Sequence, residues 1–143
     1  MKTLKMVVGF MFNENETDVL LIQKNKPDWQ KGKMNGIGGK VEGDETYKEA
    51  MIREFKEECG IECKEWNPVI LMFGDGWEVQ VYSAKSDDVF YFKQTEKEKV
   101  FLIPINELDA YSHVDNLRWL IPMCLDTKID YNLTNINSRF LIK

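Results

Sequence analysis

Glu54, Glu57 and Glu58 stand at positions i, i+3 and i+4 of one short segment. At about 100° per residue, they span an arc of roughly 100° on a helix. The helix is predicted over Thr46–Cys59. Thr46 and Glu49 have the spacing of a capping box. Tyr47, Met51, Phe55 and Cys59 recur every four residues as an apolar stripe, and Gly60 stands where such a helix would stop. The glutamate arc lies beside that stripe, not opposite it. Two carboxylates ~6 Å apart repel by about 0.7 kcal/mol in water and by ~3 kcal/mol at an effective dielectric of about 20. A solvated face tolerates the first figure; a cleft between helix and sheet tolerates the second only with cations. All-oxygen ligands suit hard Mg²⁺ or Mn²⁺ rather than zinc. Arg53 can reach Glu57 at i+4, and Glu49 lies four residues before it. An arginine fork could hold a carboxylate in one rotamer. By spacing alone, a solvated surface helix rich in Glu and Lys is the commoner reading.

The whole chain narrows the choice. Its 143 residues hold 24 acids, 19 bases and a single histidine, for a net charge of −5. That length predicts a single domain over residues 1–143. A net-acidic domain is a poor binder of nucleic acid or anionic membrane, which require a clustered basic face. With His113 alone, HExxH chemistry and multi-histidine zinc sites are excluded. The three cysteines are odd in number and form no CxxC, which predicts reduced thiols in a cytoplasmic setting. No apolar run approaches the ~18 residues of a membrane span. Asn13-Glu14-Asn15-Glu16 follows the first apolar run directly, so that run reads as a strand rather than a signal peptide. The acidic surplus is local: Glu42–Glu62 holds eight acids against three bases, which accounts for all of it.

The elements that must position the glutamates follow from periodicity. Leu4–Phe12 and Val19–Gln23 read as strands around a polar turn. Asn25–Gly39, with Pro27 and four glycines, reads as a loop. Val69–Phe73 and Trp77–Tyr82 read as a hairpin across Gly74-Asp75-Gly76. Val89–Phe92 and Val100–Ile105 are further strand candidates, and Val114–Leu125 reads as a helix kinked or restarted at Pro122. The tail Tyr131–Ile142 fits either state. Frequent hairpins and few helices predict an α/β chain with a mixed sheet and helices on its faces.

The segment Gly39–Ile61 resembles the Nudix box, G-x5-E-x7-R-E-U-x-E-E-x-G-U, where U is a bulky aliphatic residue. Gly39, Glu45, Arg53, Glu54, Glu57, Glu58 and Gly60 fall on its fixed positions, and Ile61 fits the second U. Phe55 takes the first U, a departure on the buried stripe that touches no ligand. Seven fixed positions at frequencies of ~6% each match by chance on the order of once per million chains of this length, which outweighs the plain surface helix. The resemblance implies a Nudix-type α/β/α sandwich with a central mixed β-sheet. It implies hydrolysis of a nucleoside diphosphate linked to another moiety. It places divalent metal on Glu54, Glu57 and Glu58, joined by the backbone carbonyl of Gly38, with Arg53 and Glu45 orienting those ligands. A general base is either a box glutamate or a carboxylate from a later loop, for which Glu96 is the candidate, with Glu98 behind it.

Outside the box, Trp29 and the run Lys33–Lys40 are similar to the MutT-like branch, especially its oxidised-purine triphosphatases. There the asparagine before GxGGK contacts the base and an aromatic six residues earlier covers it; Asn35 and Trp29 have that spacing. His113-Val114-Asp115-Asn116, followed by Trp119, is similar to a Trp-Pro-Asp-Asp segment of the same group. His113 stands for the stacking tryptophan with less area. Asn116 replaces the second aspartate and changes the donors and acceptors on offer. Lys24, Lys33 and Lys40 are within loop reach of the outer phosphates. The resemblance thus implies a Mg²⁺-dependent pyrophosphohydrolase of a nucleoside triphosphate, such as a damaged or modified purine nucleotide, acting as a monomer or homodimer. The alternatives are a Nudix hydrolase for a dinucleotide, ADP-ribose or nucleotide sugar, and a non-catalytic nucleotide-binding protein of the same fold.

Overall fold

The computed structural model describes residues 2–95 and 98–126. Strand β1 (Leu4–Phe12) is its axis. It pairs in parallel with β6 (Trp77–Lys85) from Leu4↔Trp77 to Phe12↔Lys85. Its other edge pairs antiparallel with β4 (Ile37–Lys40) and, at Phe12↔Val19, with β2 (Asp18–Gln23). β2 in turn carries the short β3 (Met34–Asn35) and β7 (Val100–Pro104), while β5 (Asn67–Gly74) forms the hairpin with β6. The result is a seven-stranded mixed sheet.

Nearly continuous apolar strands require cover on both faces. Alternate residues of β1 and β2 sort accordingly. Val7, Met11, Leu20 and Ile22 pack beneath α1 (Tyr47–Cys59), together with Met51, Phe55 and Trp66. Phe10, Phe12, Val19 and Leu21 pack on the opposite face with Leu117, Leu120 and Ile121 of α2 (Leu117–Leu125). The expected α/β/α layering is therefore present. Phe55, in the aliphatic position of the box, is fully buried with its ring edge-on to Trp66 at 4.9 Å. The aromatic departure thus serves packing.

Helix α1 starts and stops as its sequence predicts. Thr46 Oγ1 accepts from Glu49 N at 3.1 Å, and Glu49 Oε1 accepts from Thr46 N at 2.9 Å. Gly60 closes the helix at φ 75°. Pro122 lies inside α2, which begins three residues later than expected.

Two expectations fail. Asn25–Gly39 is not simply a loop, because it contains β3 and β4. Gly36-Ile37-Gly38-Gly39 has weak strand propensity, but the pairing with β1 overrides it. A Cβ on Gly38 would lie 1.9 Å from the Val7 carbonyl oxygen, so this close approach requires glycine. Val89–Phe92 is not a strand. Asp87–Tyr91 forms a 3-10 turn capped by Ser86 Oγ, which accepts from Asp88 N. Only Val89 of that turn is buried; Phe90 and Tyr91 face outward. The tail Tyr131–Ile142 lies outside the described residues.

No disulfide joins the three cysteines, and burial pushes the Cys59 and Cys124 thiols up to about 12. They are therefore protonated and unreactive near neutrality. No helix among the described residues is long and apolar enough to cross a membrane.

Candidate active site

The site is assembled where β4 runs into α1. Arg53 gathers it. Its Nε and Nη2 donate to the two carboxylate oxygens of Glu45 at 2.6 and 2.9 Å, a bidentate fork. Nη2 also donates to the Lys40 carbonyl at 2.9 Å, tying the helix to the end of β4. Nη1 donates to Glu54 at 2.9 Å and to both oxygens of Glu57 at 3.3 Å. Glu42 stands 3.9 Å from the same nitrogen. Glu49, the other partner allowed by spacing, is engaged in the helix cap. The expected reach from Arg53 to Glu57 is present. Sequence reasoning did not single out Glu42 for this cluster; the tight turn that brings it in also pairs Glu45 Oε1 with its N–H at 2.9 Å.

The three box glutamates are not equivalent. Glu57 is exposed, Glu58 is half-buried, and Glu54 is only 9% exposed, on the sheet-facing stripe of α1. Its carboxylate fits over Gly39. A Cβ at that position would come within 2.5–2.6 Å of the carboxyl carbon and oxygens, so glycine leaves the space the carboxylate fills. Burial pushes the Glu54 carboxyl above the usual carboxylate range, and the Arg53 guanidinium beside it pulls in the opposite direction. Glu45 shifts the other way: its hydrogen bonds to Arg53 hold it below 4.5. The carboxylates of Glu45, Glu54 and Glu57 in turn raise the Arg53 guanidinium, which stays charged.

Donor chemistry suits a hard divalent cation, because every candidate ligand is oxygen and the Gly39 cradle admits the Glu54 carboxylate. With the side chains in this arrangement, Arg53 Nη1 bonds both Glu54 and Glu57. Among the described residues no group of three or more His, Cys, Asp or Glu side chains closes around a common metal position. Arg53 bonds only Oε1 of Glu54, so the guanidinium leaves the second carboxylate oxygen to another positive partner.

The later loop reaches the same helix. Lys93 N donates to the Cys59 carbonyl at 2.8 Å, and the Thr95 hydroxyl donates to the Glu57 carbonyl. Thr95 gave no cue in the sequence, sitting in a charge-rich run. Glu96 follows it directly but lies outside the described residues. Glu98 is not behind Glu96 as a second free carboxylate. Its Oε1 pairs with Lys24 Nζ at 3.3 Å, and its Oε2 accepts from Asn25 N. Lys24 is thereby engaged, while the Lys40 side chain is exposed and Lys33 half-buried.

The segments expected to hold the base do meet. Met34 bridges to His113: Met34 N donates to the Ser112 carbonyl and Val114 N donates to the Met34 carbonyl, at 2.8 and 2.9 Å. That places Asn35 beside the 112–116 segment. Trp29, on the 3-10 turn Asp28–Gln30, is 61% exposed. Asp115 is exposed, and the Asn116 Oδ1 is buried with no hydrogen-bond partner at the start of α2. His113 is turned inward. Its side chain is 5% exposed, with Nδ1 3.0 Å from the Val114 carbonyl and Nε2 3.5 Å from Asp109. In this arrangement its ring does not offer an open stacking face, unlike Trp29.

A mixed sheet between two helices, with a glycine-cradled carboxylate cluster on the first helix, defines the architecture of a Nudix domain. A NUDIX domain family model matches residues 3–131, and the chain belongs to that family. It is similar to the CTP pyrophosphohydrolase of Escherichia coli (strain K12), 39% identical over 62 residues, which is 43% of this chain and 44% of that protein. It is also similar to the 8-oxo-dGTP diphosphatase of Escherichia coli (strain K12), 36% identical over 61 residues, which is 43% of this chain and 46% of that protein. The chain thus spans under half the length of these curated relatives. A solved structure from work on MutT of Aliivibrio salmonicida and Vibrio cholerae superposes with a TM-score of 0.71. It covers 87% of this chain and 98% of that one at 23% identity, which supports the fold. Members of the family generally use divalent metal ions.

Proposed function

We propose that this protein is a Mg²⁺-dependent pyrophosphohydrolase that cleaves a nucleoside triphosphate to nucleoside monophosphate and pyrophosphate. The observation that carries the proposal is the Arg53 cluster, which gathers Glu45, Glu54 and Glu57 at the junction of β4 and α1. Such a cluster is unfavourable as mere surface, since burial works against the ionised form of Glu54. Binding a cation would offset that cost. The named activities of the two Escherichia coli relatives, on CTP and 8-oxo-dGTP, agree with a nucleotide substrate.

Glu54, Glu57 and Glu58, with the Gly38 carbonyl, would hold Mg²⁺ or Mn²⁺. When bound, such an ion neutralises the polyphosphate, polarises phosphorus and acidifies a water. The chain's own part is positioning. Arg53, fixed by the Glu45 fork and the Lys40 carbonyl, holds the Glu54 and Glu57 carboxylates in place for the cation. Glu57, exposed at the rim, or Glu96 takes the proton from the attacking water. The exposed Lys40 side chain meets the outer phosphates. Trp29 supplies an aromatic face to the base, and Asn35, Asp115 and Asn116 line its edge, while the inward-turned His113 supports the segment from behind. The unpartnered Asn116 Oδ1 is an acceptor awaiting a donor.

A panel of normal and damaged nucleoside triphosphates, dinucleotides, ADP-ribose and nucleotide sugars, assayed with Mg²⁺ and with chelator, tests this. Chelator-sensitive turnover of a triphosphate is the expected result. Preference for ADP-ribose or a dinucleotide would instead establish the wider nucleoside-diphosphate class, and no turnover of any would reject the proposal.

A further inference from the structure

Asn35 is held by two contacts, and both depend on which way its amide points. Its Nδ2 donates to Gln30 Oε1 at 3.0 Å, and its Oδ1 accepts from Gly36 N at 2.8 Å. A half-turn of the amide would set Nδ2 against the Gly36 N–H, donor against donor. Gln30 could rotate its own amide to follow such a turn, but the Gly36 N–H cannot become an acceptor. The backbone therefore sets the sense of the amide, and Gln30 is the second anchor that resists its rotation. An asparagine amide has two N–H groups and two lone pairs. These contacts use one of each, leaving one donor and one acceptor side by side.

Gln30 is half-buried at the end of the 3-10 turn Asp28–Gln30, next to the exposed Trp29. The same hydrogen bond therefore couples the turn that presents the aromatic face to the strand that presents the amide. We infer that Gln30 is a positioning residue for base selectivity. It holds Asn35 so that the remaining N–H and lone pair read adjacent acceptor and donor groups on a nucleobase edge in one order only. A base with the reverse order meets donor with donor and acceptor with acceptor. Without Gln30 only the Gly36 N–H opposes rotation, and to the extent that the amide turns it accepts both orders, so selectivity would fall while binding of the phosphates persisted. This inference rests on the nucleotide reading of the site.

The test is kcat and KM for the natural ribo- and deoxynucleoside triphosphates with wild type, Gln30→Leu and Gln30→Glu. Leucine removes the acceptor; glutamate keeps a carboxylate oxygen facing Asn35 Nδ2. With Gln30→Leu, the ratio of kcat/KM between the best and second-best base is expected to fall about tenfold, the scale of one hydrogen bond read in the correct sense. The change should appear in KM, with kcat on the best base within about threefold of wild type. Gln30→Glu should restore most of the selectivity. Unchanged selectivity in Gln30→Leu, or equal loss in both variants, would overturn the inference. Wild type inactive on every triphosphate would be a separate result: it would overturn the nucleotide reading itself.

Discussion

Arg53 fixes the carboxylate cluster by holding two residues of its own helix, a third carboxylate from the preceding turn and a carbonyl from β4. The side proposed to hold the base is held more lightly. Asn35 depends on one side chain and one backbone amide, and the strand beneath it meets the 112–116 segment through two backbone hydrogen bonds of Met34. The first region is over-determined, so losing one contact leaves others in place. The second is a short ladder between two turns, where a single substitution can re-aim a polar group.

The largest expected effect attacks the rigid side. Glu57→Gln keeps size and helix propensity but removes a charged ligand, and should lower kcat by more than about 100-fold, beyond the usual cost of losing an outer-shell partner of a metal. Its thermal midpoint should match wild type, because Glu57 is exposed. Steady-state kinetics beside a melting curve check both halves. Full activity in this variant would remove Glu57 from the machinery.

Next comes Gly39→Ala. One methyl would meet the Glu54 carboxylate at 2.5–2.6 Å, so the carboxylate must move. Activity should fall about 10–100-fold, and the Mg²⁺ concentration for half-maximal rate should rise. A Mg²⁺ titration of the rate separates displacement of a ligand from general damage.

On the lighter side, Asn35→Ala should raise KM for the best base by about tenfold with little change in kcat, the pattern of lost uniform binding. If kcat fell as steeply as in Glu57→Gln, the division between the two regions would be wrong.

The smallest effect is on stability. Hydrogen bonds from Arg53 hold the Glu45 carboxyl below its ordinary 4.5 in the fold. A group depressed in this way stabilises the fold above the unfolded value, and that contribution is lost as pH falls through the folded one. Wild type should therefore lose stability as pH drops below about 4.5, and Glu45→Gln should show a flatter loss over that window. Thermal midpoints measured from pH 6 downward give the slope for each.

The same contrast explains what the sequence disclosed. Carboxylate spacing on a capped, striped helix is a local property, so α1, its caps and the box residues were legible. So was the layering, because β1 and β2 carry apolar residues on both faces. Pairing that depends on partners far along the chain was less legible. Gly36-Ile37-Gly38-Gly39 looked like loop because strand β4 is imposed by its contact with β1, not by its own propensity. Val89–Phe92 looked like strand because its apolar run concealed that Phe90 and Tyr91 face outward. On the base side, Trp29 and Asn35 could be picked by spacing, but the inward turn of His113 and the grip of Gln30 on Asn35 arise from tertiary contacts. Thr95 and Glu42 were hidden for the same reason: nothing in a charged run says which residue touches the helix.

The central claim is that the carboxylate cluster on α1 serves attack on a polyphosphate between its α and β phosphorus atoms. Phosphorus NMR of a preferred nucleoside triphosphate incubated with the protein and Mg²⁺ tests it most directly. Signals of nucleoside monophosphate and pyrophosphate, absent when chelator replaces Mg²⁺, are the predicted result. Orthophosphate with nucleoside diphosphate, or turnover indifferent to the metal, would contradict the account.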